Sequence, residues 1–529
     1  MRVRTSNCGH QLFRKSSAAI YRLKHFSTTN EKADQIRCAI VGSGPAGFYT
    51  AKYLLEKNKF VTVDMLETLP TPYGLVRQGV APDHQEVKSV MATFIEVATQ
   101  PRFRFFGNIS VGGQDGESSI NAVSVAELKK AYDIVVLAYG ASSDRSLGIP
   151  GEELSGVISA RNFVNWYNGH PSYSHIGESF DLGKIKRVVV VGQGNVAIDC
   201  ARILMKGVDE LRSTDISSHA LEALEKSSVE EVVIIGRRGH IQASFTIKEL
   251  RELTKLADVD VKISKSELND SFTESSQLEL KNNRPKHRIV DLINKIASDT
   301  ISPESSGESK EKKSINFRFL LSPLEIFPSS ADVNAVGSIV LEKNKLTGAE
   351  NNQKAVSTGE KETINCELIL KSVGYKSESM IGVPFDFKKN VIPNDQGRVL
   401  DNGNYASENG NIKLDKSDNL NIIDGLYVTG WLKRGPSGII GTNITDAKET
   451  VDCILQDIEL KNTTPGHEFQ KCDPILSIPV LSSEDVITWG DYLRIEAEEN
   501  RRGDAATPKK PREKICNVTE LLSIAKNRL

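Results

Sequence analysis

The chain carries one local design twice, and that repetition constrains its fold more than any other feature. Cys38-Ala39-Ile40-Val41 runs into Gly42-Ser43-Gly44-Pro45-Ala46-Gly47, and Val188-Val189-Val190-Val191 runs into Gly192-Gln193-Gly194-Asn195-Val196-Ala197. In each copy a short continuous apolar run predicts a buried parallel strand, the glycines predict a tight turn, and the apolar spacing that follows predicts a helix. The first glycine permits the turn, the second lets backbone approach a pyrophosphate, and the third lets helix pack on strand. The phosphates would sit at the helix N-terminus, where free N–H groups and the dipole favour an anion. Two such units predict an α/β chain with two Rossmann-like dinucleotide-binding domains, and two nucleotides in one enzyme suggest electrons passing between them.

The copies differ where the next strand ends. Val61-Thr62-Val63-Asp64-Met65-Leu66 ends at Glu67, whose carboxylate would accept hydrogen bonds from both ribose hydroxyls and repel a 2′-phosphate. The first site therefore suits FAD or NAD rather than NADP. Val232-Val233-Ile234-Ile235-Gly236 ends instead in Arg237-Arg238, two guanidinium groups able to hold a 2′-phosphate in bidentate fashion. That selects NADPH, as does Ala197 in place of the third glycine. Gly192 and Arg237 are further apart than the roughly 20 residues usual for the motif, which an inserted helix around Ser217 to Lys226 would explain.

Composition narrows the partners. A formal charge of −2 gives no global reason to expect nucleic acid. No apolar run approaches the roughly 20 residues that span a bilayer. The seven cysteines are scattered, with no two separated by only two residues, which argues against a redox disulfide, a zinc site or an iron–sulfur cluster. No metal is expected, and any iron–sulfur centre must come with another protein. Met1 to Asn30 has no Asp or Glu but carries Arg2, Arg4, Arg14, Lys15, Arg22 and Lys24, the pattern of an amphipathic mitochondrial presequence, with a disordered basic tail as the alternative.

A rigid loop with two prolines and two glycines, Pro72-Tyr73-Gly74-Leu75-Val76-Arg77-Gln78-Gly79-Val80-Ala81-Pro82-Asp83-His84, precedes a helical stretch from Gln85 to Thr99. Together with GSGPAGFYTA before it, this loop resembles the adrenodoxin reductase family, the mitochondrial NADPH:ferredoxin reductases. Further matches are FTIKELRE from Phe245, an RPxxR segment from Arg284, and a tryptophan, Trp431, after Tyr427-Val428-Thr429-Gly430. The resemblance covers almost all of residues 36 to 459 outside polar insertions. It implies an NADP domain inserted into a discontinuous FAD domain. Buried strands ending at Gly140 and at Leu370 set the expected limits: 1–30 presequence, 36–140 FAD domain, 141–370 NADP domain, 371–529 FAD domain again.

For FAD the expected contacts are Gly42, Gly44, Ala46, Gly47, Glu67, Leu75 and Val111, with Trp431 covering the flavin. The N–H groups of Gly438, Ile439 and Ile440, at a helix start, would face its pyrimidine edge and stabilise charge on reduced flavin. For NADP they are Gln193, Gly194, Asn195, Val196, Arg237, Arg238, Glu249 and again Gly438. His84 is a proton-handling residue near the flavin or a hydrogen-bonded loop histidine. Asp199 couples proton movement or domain closure, or is a plain helix-surface acid. Arg251, Arg284 and Arg288 would dock an acidic [2Fe–2S] ferredoxin, or form a solvated charged face. Residues 264–283, 298–314, 345–362 and 401–419 read as solvated loops, and 460–529 as polar chain without a motif.

The resemblance implies that NADPH passes a hydride to FAD and that reduced FAD reduces the ferredoxin one electron at a time. It places the protein in the mitochondrial matrix or peripherally on the inner membrane, as a monomer, in support of haem, steroid or iron–sulfur cluster biosynthesis. Two alternatives remain: a glutamate synthase-like electron-input flavoprotein, and a non-enzymatic sensor that keeps both nucleotide pockets.

Overall fold

The computed structural model describes residues 35–112, 121–281, 283–299, 312–403, 421–464, 468–469 and 472–527. The basic segment 1–30, most of 298–314 and most of 401–419 lie outside these residues.

Two sheets organise the chain. The first has seven strands in the order Asn394–Asp395, Arg398–Asp401, Asn421–Val428, Ile134–Leu137, Ile36–Val41, Val61–Glu67 and Phe103–Gly107. The last five run parallel, and the first two join as an antiparallel edge. The second has six parallel strands in the order Val259–Ile263, Lys313–Arg318, Glu231–Ile235, Arg187–Val191, Leu368–Lys371 and Val157–Ser159. The second sheet carries helices on one face and the strands Leu321–Pro328 and Val336–Thr347 on the other, and the first is likewise covered on both faces, so the inner strands are buried on both sides and carry unbroken apolar runs rather than alternating ones. Cys38, Ala39 and Ile40, and likewise Val188, Val189 and Val190, are fully buried.

Because the second sheet is built from residues between the two halves of the first, the chain crosses between them twice. The crossings pair with each other: Ser143–Asp144 forms a short antiparallel ribbon with Tyr375–Lys376. Beside it Glu152 accepts from the N–H groups of Leu147 (2.9 Å) and Gly148 (2.8 Å) and from Lys371 Nζ (2.7 Å).

The structure corrects several sequence expectations. Residues 264–283 are not loop: Lys265–Ser271 and Glu274–Lys281 are helices that bury Leu268 and Leu280, with Ser276 donating to Gln353 at 2.6 Å. Residues 345–362 belong to an antiparallel sheet of Leu321–Pro328, Val336–Thr347 and Lys354–Asn365. Its outer strand is wet on both faces, so no alternation of hydrophobicity marks it in the sequence. The helical stretch after Gln85 is two helices, Gln85–Lys88 and Met91–Ala98. The polar C-terminal region supplies helices Trp489–Ala505 and Val518–Ala525, whose Tyr492, Ile495, Leu521 and Ile524 complete the core of the first sheet.

Candidate functional site

The first glycine turn is dictated by close contact. Gly42 has φ +104°, and a Cβ there would lie 2.6 Å from the Ala138 carbonyl oxygen on the neighbouring strand. A Cβ on Gly47 would lie 2.1 Å from the Gly42 carbonyl oxygen. Gly44 is the reverse case, since a Cβ there would meet nothing within 4 Å. It opens onto the N-terminus of helix Pro45–Lys57, which has no side-chain cap. The first-turn N–H groups thus face free space, an arrangement suited to an anion.

Three distant segments close over this turn. Tyr73 N–H donates to the Ser43 carbonyl at 3.1 Å, and a Cβ on Gly74 would lie 3.1 Å from Gly44 Cα, so Leu75 starts its short helix against the turn. Gly430, at φ +74°, packs so tightly on Ala46 that a Cβ would approach the Ala46 methyl to 2.6 Å. Glu67 accepts from Ser43 N–H (3.0 Å), Ser43 Oγ (2.6 Å) and Leu69 N–H (3.0 Å). It therefore fixes the turn as well as presenting its remaining lone pairs. Ile109 donates to the Glu67 carbonyl at 2.9 Å, and Val111 is buried two residues beyond. The buried Thr429 hydroxyl next to Gly430 has no hydrogen-bond partner.

Trp431 is half-buried, donates through Nε1 to the Ser437 carbonyl at 3.2 Å, and stacks on Tyr375 of the crossing ribbon at 5.3 Å and 27°. The three N–H groups expected at a helix start are not there. The helix runs Thr442–Thr463, and Gly438, Ile439 and Ile440 form the turn before it. The cause is Gly438 at φ +83° together with Thr442, whose Oγ1 accepts the Ile439 N–H at 3.1 Å. Ile439 is 67% exposed, while Ile440 packs on the core of the first sheet.

The second turn repeats the first in tighter form, since a Cβ on Gly192 (φ +128°) would lie 2.1 Å from the Ser372 carbonyl oxygen. Above Gly194 the nearest atom to such a Cβ is Ser244 Oγ at 3.6 Å. Helix Asn195–Met205 again lacks a side-chain cap. The side chains of Gln193 and Asn195 are used internally: Gln193 donates to the Arg318 carbonyl at 3.0 Å, and Asn195 accepts from Thr246 N–H at 2.8 Å. These bonds fix the orientation of both side chains at the turn. Val196 packs on the second core, and Glu249 accepts from the Thr246 hydroxyl at the start of helix Ile247–Leu253. Arg237 and Arg238 are exposed, and neither guanidinium has a partner among the described residues.

Between the two turns lies a seam of charge that brings His84 and Asp199 together. Arg202, its side chain 2% exposed, grips Asp83 through Nε (2.8 Å) and Nη2 (3.0 Å) and lies 2.8 Å from Asp199 Oδ1. Lys206 adds a contact to Asp83 at 3.1 Å. His84 Nε2 is 2.7 Å from Glu252 Oε2, which Arg202 also approaches at 3.5 Å. Although burial works to raise the Asp83 carboxyl, Arg202 and Lys206 hold it well below the usual carboxylate range. Burial prevails at Asp199 and raises it in spite of Arg202. Asp199 is thus not a plain surface acid. Sequence reasoning missed Arg202 and Glu252; a charged pair three residues apart on the otherwise apolar NVAIDCARILM helix was the available signal.

Arg251 on helix Ile247–Leu253 and Arg284 and Arg288 on helix Arg284–Asp299 are exposed and unpaired among the described residues, and the two helices pack together. Lys286, between the two arginines, is taken up by Glu279. The described residues contain no group of His, Cys, Asp and Glu able to hold a metal, and no helix long and apolar enough to cross a membrane.

The open space over Gly44 and Gly194, the uncapped helix starts, the partnerless Thr429 hydroxyl and the free guanidinium pair fit two dinucleotides of opposite ribose chemistry. Residues 36–293 match the model for the pyridine nucleotide-disulphide oxidoreductase family. The mitochondrial NADPH:adrenodoxin oxidoreductase of Arabidopsis thaliana is 41% identical over 95% of this chain and 98% of its own length. That of Homo sapiens is 40% identical over 94% and 93%. Among solved structures, Mycobacterium tuberculosis FprA in complex with NADPH superposes with a TM-score of 0.79 at 38% identity, covering 93% of this chain and 99% of FprA.

Proposed function

The chain belongs to the NADPH:adrenodoxin oxidoreductase family, and from that membership we propose that it is an FAD-dependent NADPH:ferredoxin reductase. The observation that carries the reading is the opposed chemistry of the two turns: Glu67 beside the first, Arg237 and Arg238 beside the second.

FAD would be held by the backbone from Gly42 to Gly47, by Glu67 at the ribose, by Leu75 and Val111 along its length, and by Trp431 at the ring. NADPH would be held by the backbone from Gln193 to Val196, with Arg237 and Arg238 on the 2′-phosphate and Glu249 nearby. When bound, the pair supplies hydride transfer from nicotinamide to flavin and single-electron delivery to the partner's [2Fe–2S] cluster. The chain's own contribution is placement and exclusion of water. Trp431, fixed by Ser437 and Tyr375, closes the first site, and the Arg202 network holds Asp83, His84 and Asp199 at the junction. His84 with Glu252 can hold a proton there.

Arg251, Arg284 and Arg288 present an unneutralised basic face that would steer an acidic ferredoxin. The named relatives are mitochondrial, and the acid-free basic segment 1–30 supports import. The expected site is the matrix or the matrix face of the inner membrane, and the expected state a monomer.

The purified protein should be yellow, should bleach on anaerobic addition of NADPH, and should reduce cytochrome c much faster with an added [2Fe–2S] ferredoxin than without. A colourless protein, or equal rates with and without ferredoxin, would refute the proposal.

A further inference from the structure

The seam between the sheets has a second arm, next along the chain from the Arg202 network and built on one carboxylate. Asp215 lies in the loop between helices Val208–Arg212 and Ser218–Glu225 on the NADP side and is 3% exposed. Its Oδ1 accepts from Lys88 Nζ at 2.6 Å and Gln85 Nε2 at 2.9 Å, and its Oδ2 lies 3.3 Å from Lys514 Nζ. All three donors belong to the FAD side. Gln85 and Lys88 sit on the helix that follows His84, and Lys514 precedes Ile515, which is part of the first sheet's core. The same C-terminal segment reaches the loop twice more, through Lys510 Nζ to the Ile216 carbonyl (3.5 Å) and Glu513 Oε1 to the Ser218 N–H (3.3 Å).

Lys88 and Lys514 are almost wholly buried, and Arg77 and Arg512 beside them are already engaged by Glu499. Burial pushes the Lys514 ammonium down to about 7, with Asp215 opposing that shift and Lys88 and Arg77 adding to it. Without Asp215 Lys88 and Lys514 would stay buried without their shared acceptor and counter-charge, a state costlier than the pairing itself is worth. Besides such contacts, the ribbon at Ser143–Asp144 and Tyr375–Lys376 joins the two sheets, and polar seams of this kind permit relative domain motion.

We propose that Asp215 is a positioning residue that pins the NADP domain to the FAD domain through Gln85, Lys88 and Lys514, and so sets the relative orientation of the two nucleotide cradles. The inference rests on the proposed reductase function. It assigns work to the C-terminal segment, which reaches neither glycine turn yet fixes how they face each other. Because misplacement by about 1 Å can cost a transfer step about 100-fold, a pin distant from both ligands can govern rate.

The test is Asp215→Asn in the full-length, FAD-loaded protein. At saturating NADPH the rate of flavin bleaching should fall about tenfold or more, with half-saturation by NADPH moving less than about threefold. Electrons supplied by dithionite should still leave for ferricyanide at the wild-type rate. Trypsin should cut faster after the exposed Arg145 and Lys376 at the ribbon, a readout that needs no turnover. Lys514→Gln, which leaves Asp215 paired with Lys88, should show the same pattern more weakly and serves if Asp215→Asn does not fold. A folded, yellow variant that bleaches within about twofold of wild type, or whose ribbon is cut no faster, overturns the pin. Wild-type protein that fails to bleach with NADPH overturns the reductase reading instead, and ribbon cleavage still judges the pin.

Discussion

The two glycine turns share a backbone and differ in almost everything around it. The first is roofed by segments from far along the chain: Tyr73 and Gly74 press on Ser43 and Gly44, and Gly430 presses on Ala46. The second is bound by Ser372, Arg318, Ser244 and Thr246, and its two arginines stand in solvent without partners among the described residues. If FAD sits at the first turn and NADPH at the second, as proposed, the arginines in solvent suit a nucleotide that is exchanged. A cofactor that stays and a reductant that comes and goes need different covers on one scaffold.

The contrast breaks most sharply at the arginines. Replacing Arg237 and Arg238 by Ala removes several charge-assisted hydrogen bonds to a 2′-phosphate, each contributing roughly 1.5–3 kcal/mol. Half-saturation by NADPH should then rise about 100-fold or more, and that by NADH less than about threefold, as read from initial rates with ferricyanide. Unchanged preference would remove the distinction between the cradles.

Gly47→Ala tests the first turn by steric means. Its Cβ would fall 2.1 Å from the Gly42 carbonyl oxygen, an immovable backbone atom. We expect a loss of roughly 1–3 kcal/mol in unfolding free energy and release of FAD on gel filtration. A variant that stays yellow and fully stable would show that the turn has slack that the packing does not reveal.

The legible and illegible parts of this molecule divide along a physical line. Both sheets could be read because parallel strands buried on two faces leave continuous apolar runs, and both turns because glycine is forced by contact at Gly42 and Gly192. The contrast of Glu67 with Arg237 and Arg238 was equally visible, since it lies in residue type and position alone. What escaped was whatever depends on contact between distant segments or on strands wet on both faces. Lys354–Asn365 shows no periodicity because neither of its faces is buried. Gly438–Ile440 looked like a helix start, but Thr442 caps the turn. Asp215, Lys88 and Lys514 look like unrelated surface charges until the fold buries them together.

Acid should loosen the seam between the cradles. Asp83 is held well below its ordinary value by Arg202 and Lys206, and Asp215 likewise by Lys514 and Lys88. A depressed carboxylate stabilises fully above its unfolded-state value and loses that contribution as pH falls toward the folded one. The contribution of these two carboxylates should therefore be complete above about pH 5 and decline below about pH 4, with Asp83 alone accounting for roughly 1 kcal/mol by about pH 3. Thermal melts across that range check it. In Asp83→Asn the acid-side slope should be shallower, and an unchanged slope would mean that the seam does not carry the acid response.

The smallest effect is expected at Ala197, the counterpart of Gly47, and its size separates two explanations of why the third positions differ. Ala197 is fully buried within the second core, so its methyl already has room between helix and strand. If Ala197 only fills that space, Ala197→Gly costs the helix propensity and a little packing, roughly 1 kcal/mol, and half-saturation by NADPH is unchanged. If the methyl instead holds helix Asn195–Met205 off the strand to shape the cradle, the same variant lets the helix settle inward. NADPH affinity then falls along with stability. The sharper contrast with Gly47→Ala is the first outcome, in which one position excludes a methyl by contact with backbone and the other merely accommodates one. Chemical denaturation and NADP titration on the same preparation of Ala197→Gly decide between them.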